Sequence, residues 1–344
     1  MLKNFLAVTF SFLSTVSLLA QTDSTPKAVT SFIGSLDAYY RYNFSGPDGG
    51  KTNNFTSFTN SMNSFELGMA SLKVDHSFGK VAATADVGIG RRAQEFTYTE
   101  SGINAMIKQA YISYAPSSKL KFTMGKFATH VGYELVDAYA NRNYSMSYGF
   151  SYGPFFHTGL KADFSLGGKS AMMIGFANKT DYLSSPSPVQ YVLAQFSTAS
   201  SNDKWKAYLN FQGATELTQF NLVITGALSD KFSVAYDGSI LTTHTNGVNE
   251  SWNSHAFYLN YDPLKSFGLT LREDYFSDRK INPLVSLGGG SVMATTLSGN
   301  FRCSQLTIIP EIRLDMDSDP VFSKSGSPDK KSTASFILAA VYKF

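Results

Sequence analysis

A single cysteine, Cys303, stands in 344 residues. No intrachain disulfide can form, and a cysteine-rich metal or redox centre is excluded. Charge is scarce as well, with Asp, Glu, Lys and Arg at 16% and no block of one sign. Nucleic-acid binding therefore has no electrostatic footing. Past residue 20 the longest purely apolar run covers 336–341. A membrane helix needs roughly 18–20 such residues, so a helical bundle is excluded. His130, His157, His244 and His255 lack metal-ligand spacing. No metal and no cofactor are expected. Gly88-Ile89-Gly90-Arg91-Arg92-Ala93 loosely matches a dinucleotide fingerprint. That motif needs a helix directly after it, and a polar loop is expected here. No Lys-Ser/Thr follows Gly288-Gly289-Gly290, and no nucleophile elbow is present. An enzyme is not expected.

What is abundant is apolar and aromatic: 43% hydrophobic residues and 14% aromatic ones. Disorder is excluded, because such a chain has surface to bury. Residues 1–20 read as a signal peptide, with Lys3, an apolar stretch from Phe5 to Leu19, and Ala20 before the cut. Removing Lys3 leaves 28 basic residues (29 less one) against 26 acidic, close to neutral. Residues 21–31 read as an N-terminal periplasmic segment.

The organising signal is period two, the alternation of a strand with one greasy face. In 34–44, Gly34, Leu36, Ala38, Tyr40, Tyr42 and Phe44 alternate with Ser35, Asp37, Tyr39, Arg41 and Asn43. Segments 81–90, 205–212 and 306–315 repeat the pattern. Sixteen such segments can be drawn between residues 32 and 344. The phase of the second slips near Met69 and Ala70, which reads as a bulge. The thirteenth puts Glu273 on its greasy side.

Links after even-numbered segments are tight, such as Gly79-Lys80 and Ser229-Asp230. Links after odd ones are usually long: 45–62, 91–104, 128–155, 179–189, 242–251, 278–290 and 317–332. All long links then lie at one end. The expected fold is all-β: a transmembrane antiparallel barrel of about 16 strands, short periplasmic turns and long extracellular loops. Aromatics on the greasy face fall at two levels, Phe78, Tyr114, Phe196, Trp205, Phe232, Tyr261 and Phe267 near the tight turns, and Tyr42, Phe44, Phe156, Phe176, Phe211, Phe220 and Tyr275 near the loops. Two belts suit two membrane–water interfaces. Outer-membrane lipid is the expected surround. The last strand ends on Phe344, like the signal by which such barrels reach their assembly machinery.

Loop 128–155 is long, aromatic and poor in charge, and is expected to fold into the lumen. Gly125-Lys126-Phe127, Gly132-x-Glu134, Asn141-x-Asn143-Tyr144-Ser145, Pro154 and His157-Thr158-Gly159 resemble the beta-barrel porin-2 family of bacterial outer membranes. So do Ala85-Asp86-Val87-Gly88-Ile89-Gly90 and Gln109-Ala110-Tyr111. The resemblance implies an outer-membrane pore and says little of the solute.

The expected function is passive diffusion of small hydrophilic solutes with weak charge selectivity. The alternative is a non-conducting barrel that acts as adhesin or receptor through its outer loops. His130, Glu134, Asp137, Arg142 and Tyr144 are the expected constriction, with a slight cationic bias. Arg41, Lys73, Lys121, Lys161, Lys206, Arg272, Arg302 and Arg313 are expected to line the pore. So are Asp37, Asp75, Asp86, Asp163, Asp237, Asp274, Glu311 and Asp315. A homotrimer is expected by analogy with porins generally.

Overall fold

The computed structural model describes residues 26–46, 52–98, 100–245, 247–280, 290–324 and 326–344. The expected signal peptide lies outside them. The first half of the chain forms β1 (Val29–Asn43), β2 (Ser64–Phe78), β3 (Val81–Ile89), β4 (Ile107–Ser117), β5 (Leu120–Ala128), β6 (Phe156–Gly167), β7 (Ser170–Ala177) and β8 (Tyr191–Ala199). Then come β9 (Trp205–Ala214), β10 (Leu217–Ala227), β11 (Phe232–Thr245), β12 (Val248–Leu264), β13 (Phe267–Lys280), β14 (Ser291–Cys303) and β15 (Leu306–Asp317). A small hairpin, β16 (Phe322–Lys324) and β17 (Ser327–Lys330), precedes β18 (Ser332–Lys343).

Sixteen of these strands, all but β16 and β17, close into one antiparallel barrel, and β1 pairs with β18 to seal it. Closure removes every edge, which is how a sheet satisfies its backbone in lipid. The last residue takes part: Phe344 and Gly34 exchange backbone hydrogen bonds, and the Phe344 ring lies where a Gly34 side chain would stand.

The alternation decides what faces where. Leu36, Val87, Leu209, Leu259, Leu297 and Leu338 point outward and are exposed, whereas Ser35, Asp86, Asn210, Tyr258, Ser298 and Ala339 point inward and are buried. A continuous exposed apolar wall is what a bilayer covers.

Four details depart from the sequence expectation. The first strand starts at Val29, so 29–31 belong to the barrel rather than to a leading segment. Residues 242–251 are not a long loop: β11 continues to Thr245 and β12 starts at Val248, and the two strands pair out to those residues. Phe156 is buried rather than set in an outer belt. A six-residue helix, α1 (Arg91–Phe96), follows Gly90 where a polar loop is expected. The bulge in β2 is present: Asp37 pairs with Met69 and Ala38 with Leu67, which leaves Gly68 as the extra residue. A side chain at Gly68 would collide with Asp37 and Tyr144, so the bulge admits only glycine.

Candidate functional site

The segment after β5 does not cap the barrel. It enters the lumen and is held by the walls it crosses. His130 Nε2 bonds the Phe211 carbonyl on β9 at 2.9 Å, and Gly132 N donates to Asn221 on β10 at 3.1 Å. Tyr133 N donates to Asp237 on β11 at 2.9 Å. Beyond a short 3-10 turn at Ala138–Ala140, the chain meets β14, β15 and β1. Asn143 donates to Ser298 at 2.6 Å, and the Tyr144 and Ser145 amides donate to Glu311 at 2.8 and 3.1 Å. The Tyr144 hydroxyl donates to Asp37 at 2.6 Å. A second short helix, α2 (Tyr148–Ser151), is capped by Ser147 and anchored where Tyr148 N donates to Asp274 at 2.7 Å. β5 and β13 stand eight places apart in the sixteen-strand order, so the loop spans the lumen.

Each charged residue of the loop meets an opposite charge from the wall. Glu134 pairs with Arg272 at 2.7 Å, Asp137 with Lys108 at 2.5 Å, and Arg142 with Asp262 at 2.9 Å. Neither Glu134 nor Asp137 thus stands as an unpaired carboxylate. Arg272 is fully buried and also donates to the Ser145 and Met146 carbonyls. Arg313 donates to Met146 O at 2.7 Å and holds Asp315. Arg41 turns away from the loop, to the carbonyls of Thr52 and Ser61.

Aromatic packing closes this plug. Phe58, Phe96, Val136, Met146, Phe150, Phe155 and Phe156 form one buried cluster. α1 serves it by sending Arg92 inward, between the Phe58 and Tyr144 rings and 3.7 Å from Asp37. Burial pushes the His130 imidazole down to about 4 against its backbone hydrogen bond, so the ring is neutral near pH 7. Burial likewise raises the phenols of Tyr133, Tyr144, Tyr148 and Tyr152, which stay protonated as donors. Asp181, beside the loop's end, is raised by burial to about 7 despite accepting from the Phe155 and Phe156 amides. A cavity of about 20 Å³ remains between Tyr133, Glu134, Arg142, Asn143, Tyr258 and Asn260, room for about one water.

The inward charges thus fall into two sets. Asp37, Arg41, Asp86, Asp237, Arg272, Asp274, Glu311, Arg313 and Asp315 are buried under or beside the loop. Lys73, Asp75, Lys121, Asp163 and Lys206 lie on the turn-side half of β2, β5, β6 and β9 and keep partial exposure. Lys161 lies between the sets, 3.5 Å from Asp163. Arg302, nearer the turns of β14, shares Asp262 with Arg142.

Sequence reasoning missed Lys108, Arg92 and Asp262. Strict alternation turns Lys108 outward, but a register shift between Asp86 and Val87 rotates it in, 3.1 Å from Asp86. Arg92 and Asp262 carried no spacing signal.

A closed sixteen-strand barrel, apolar outside and charged inside, with a long segment folded across its lumen, defines an outer-membrane porin. The chain belongs to the family described as "Putative beta-barrel porin-2, OmpL-like", whose model matches residues 30–344. No curated protein matches it. Among solved structures it is similar to the outer membrane channel DcaP of Acinetobacter baumannii, with 12% identity, 92% of this chain and 97% of that one covered, and a TM-score of 0.62. The anion-selective porin from Comamonas acidovorans gives 10% identity, 92% and 100% coverage and 0.63. OmpT of Vibrio cholerae in its trimer form gives 12%, 92% and 99%, and 0.60. At such identities these likenesses speak for the fold. The tight turns are periplasmic and the long loops extracellular.

Proposed function

We propose that the chain carries small hydrophilic solutes by passive diffusion, with a weak selectivity that favours anions. The path runs beside the crossing loop and opens along the periplasmic half of β2–β9. The observation that carries the sign is the vertical sorting of inward charge. At loop level the wall acids are engaged: Asp37, Asp237, Asp274 and Glu311 accept hydrogen bonds from loop amides or hydroxyls. Below it, the partly exposed Lys73, Lys121 and Lys206 face Asp75 and Asp163, three ammonium groups against two carboxylates, with the buried Lys161 beside Asp163. Solvated charge of one sign in a narrow, low-dielectric tube raises the local concentration of its counter-ion.

His130, Glu134, Asp137, Arg142 and Tyr144 set the width of this path by holding the loop, not by presenting free charge to it. The likeness to an anion-selective porin and to a trimeric one agrees with the reading, and a homotrimer is part of the proposal. The test is the reversal potential in planar bilayers under a low-salt potassium chloride gradient, where screening is weak. The sign should report chloride preference, and Lys121→Glu with Lys206→Glu should move it toward potassium. Conductance with potassium preference in the unaltered protein would discard the sign. No conductance at all would favour the adhesin or receptor reading.

A further inference from the structure

The outer mouth holds a second filling layer. Residues 52–63, between β1 and β2, lie against the crossing loop. Ser57 N donates to Ser151 Oγ of α2 at 3.0 Å, and the Tyr152 hydroxyl donates to Phe55 O at 2.8 Å. The Phe58 ring is wholly buried among Phe96, Phe150 and Phe155. Near the loop ends of six strands, the inward side chains of Asn43, Lys126, Tyr191, Gln212, Trp252 and Val292 are buried as well. The described residues thus leave no open entrance at this level, and a path beside the crossing loop needs one layer to move.

The wall is fixed by its strand pairing, and the crossing loop by its three ion pairs. Residues 52–63 are held differently. They carry no charge, and nine of the twelve are Thr, Asn or Ser. Arg41 donates to the Thr52 and Ser61 carbonyls, and Glu95 accepts from Phe58 N and Asn60 Nδ2 at 2.6 and 2.7 Å. Asn53 makes a two-way bond with β16: its Nδ2 donates to Ser323 O at 2.7 Å, and Ser323 N donates to its Oδ1 at 2.8 Å. The closed position also carries costs. Phe58 has φ 77°, which a bulky side chain rarely adopts. The Thr59 and Ser61 hydroxyls are buried without a hydrogen-bond partner. Both costs are relieved when the segment moves out into water, which suits its polar composition.

We infer that residues 52–63 are a lid over the outer entrance, latched by Asn53 to the β16–β17 hairpin, and that solute enters when the lid lifts. The solute's part in this rests on the diffusion reading above; the movement of the lid does not.

Two experiments on a Cys303→Ser background test this. In intact cells, Thr59→Cys should react with a membrane-impermeant maleimide although the closed lid buries that position, and adding Asn53→Ala should speed the reaction by about threefold or more. Ala339→Cys, equally buried beneath the crossing loop, should stay unreacted with and without Asn53→Ala. In planar bilayers, joining Asn53→Cys to Ser323→Cys with a short, reducible bis-methanethiosulfonate should cut conductance to about half or less, and dithiothreitol should restore it. A Thr59→Cys that stays unreacted in both backgrounds would overturn the lid, and so would full conductance in the joined protein. An absence of conductance in joined and reduced protein alike would strike the diffusion reading instead, and the labelling would then decide the lid by itself.

Discussion

At the scale of single residues, the crossing loop is held by buried charge rather than by apolar contact alone. Glu134 is the clearest case. One of its oxygens meets Arg272 at 2.7 Å and the other accepts from Ser147 N at 2.8 Å. Both side chains of the pair are almost wholly buried. Removing one partner of such a pair leaves an uncompensated charge, at about 3–5 kcal/mol. Glu134→Ala should therefore lower the unfolding temperature of the detergent-solubilised barrel, read from its heat-dependent mobility. Glu134→Gln should fall between, because it keeps an acceptor for the Ser147 amide and loses only the charge. Glu134→Ala unfolding with the unaltered protein would show that the Arg272 hydrogen bonds to Ser145 and Met146 carbonyls suffice without the pair.

Elements were legible where period two is strict. The barrel strands, the glycine bulge in β2 and the seal between β1 and β18 follow from alternation that one buried face imposes. The link at 242–251 misled because its residues are polar, yet polar strands can rise beyond the membrane. Asn246-Gly247 is itself a two-residue hairpin signal that outweighs composition. The loop's need for cover was legible, because so aromatic a segment has to pack against something. Its partners were not legible: period two says that Asp237 and Glu311 face inward, but not that loop amides will stand opposite them. The distinction alters one strand-phase test. Leu209→Arg faces lipid and should cost about 2–4 kcal/mol. Asn210 faces inward but is buried between Gln195 and Asn221, so it is no tolerant control. Tyr208, inward and only half-buried, is that control, and Tyr208→Arg should fold with near-normal stability. Denaturant titration of the two refolded variants compares them; equal losses would mean that the phase of β9 is shifted by one.

For the whole molecule, the loop both narrows the lumen and hides its acids, so its removal should alter two properties together. Deleting residues 136–148 takes away Asp137 and Arg142 and uncovers Asp37, Asp86, Asp274, Glu311 and Asp315, while Asp237 keeps Tyr133 and Asn221. It also uncovers Arg92, Lys108, Arg272 and Arg313, and Glu134 stays. The newly wetted set is thus six acids to four bases. Water enters the vacated lumen, so these charges are solvated rather than stranded, and the barrel's own strand pairs stay intact. The variant should assemble, conduct more per channel, and shift its reversal potential toward potassium. The two readouts separate the claims. Unchanged conductance would mean that the loop lies outside the conducting path. Higher conductance with unchanged selectivity would keep the loop in the path, but would mean that the buried acids do not set the sign and that the periplasmic lysines govern it alone.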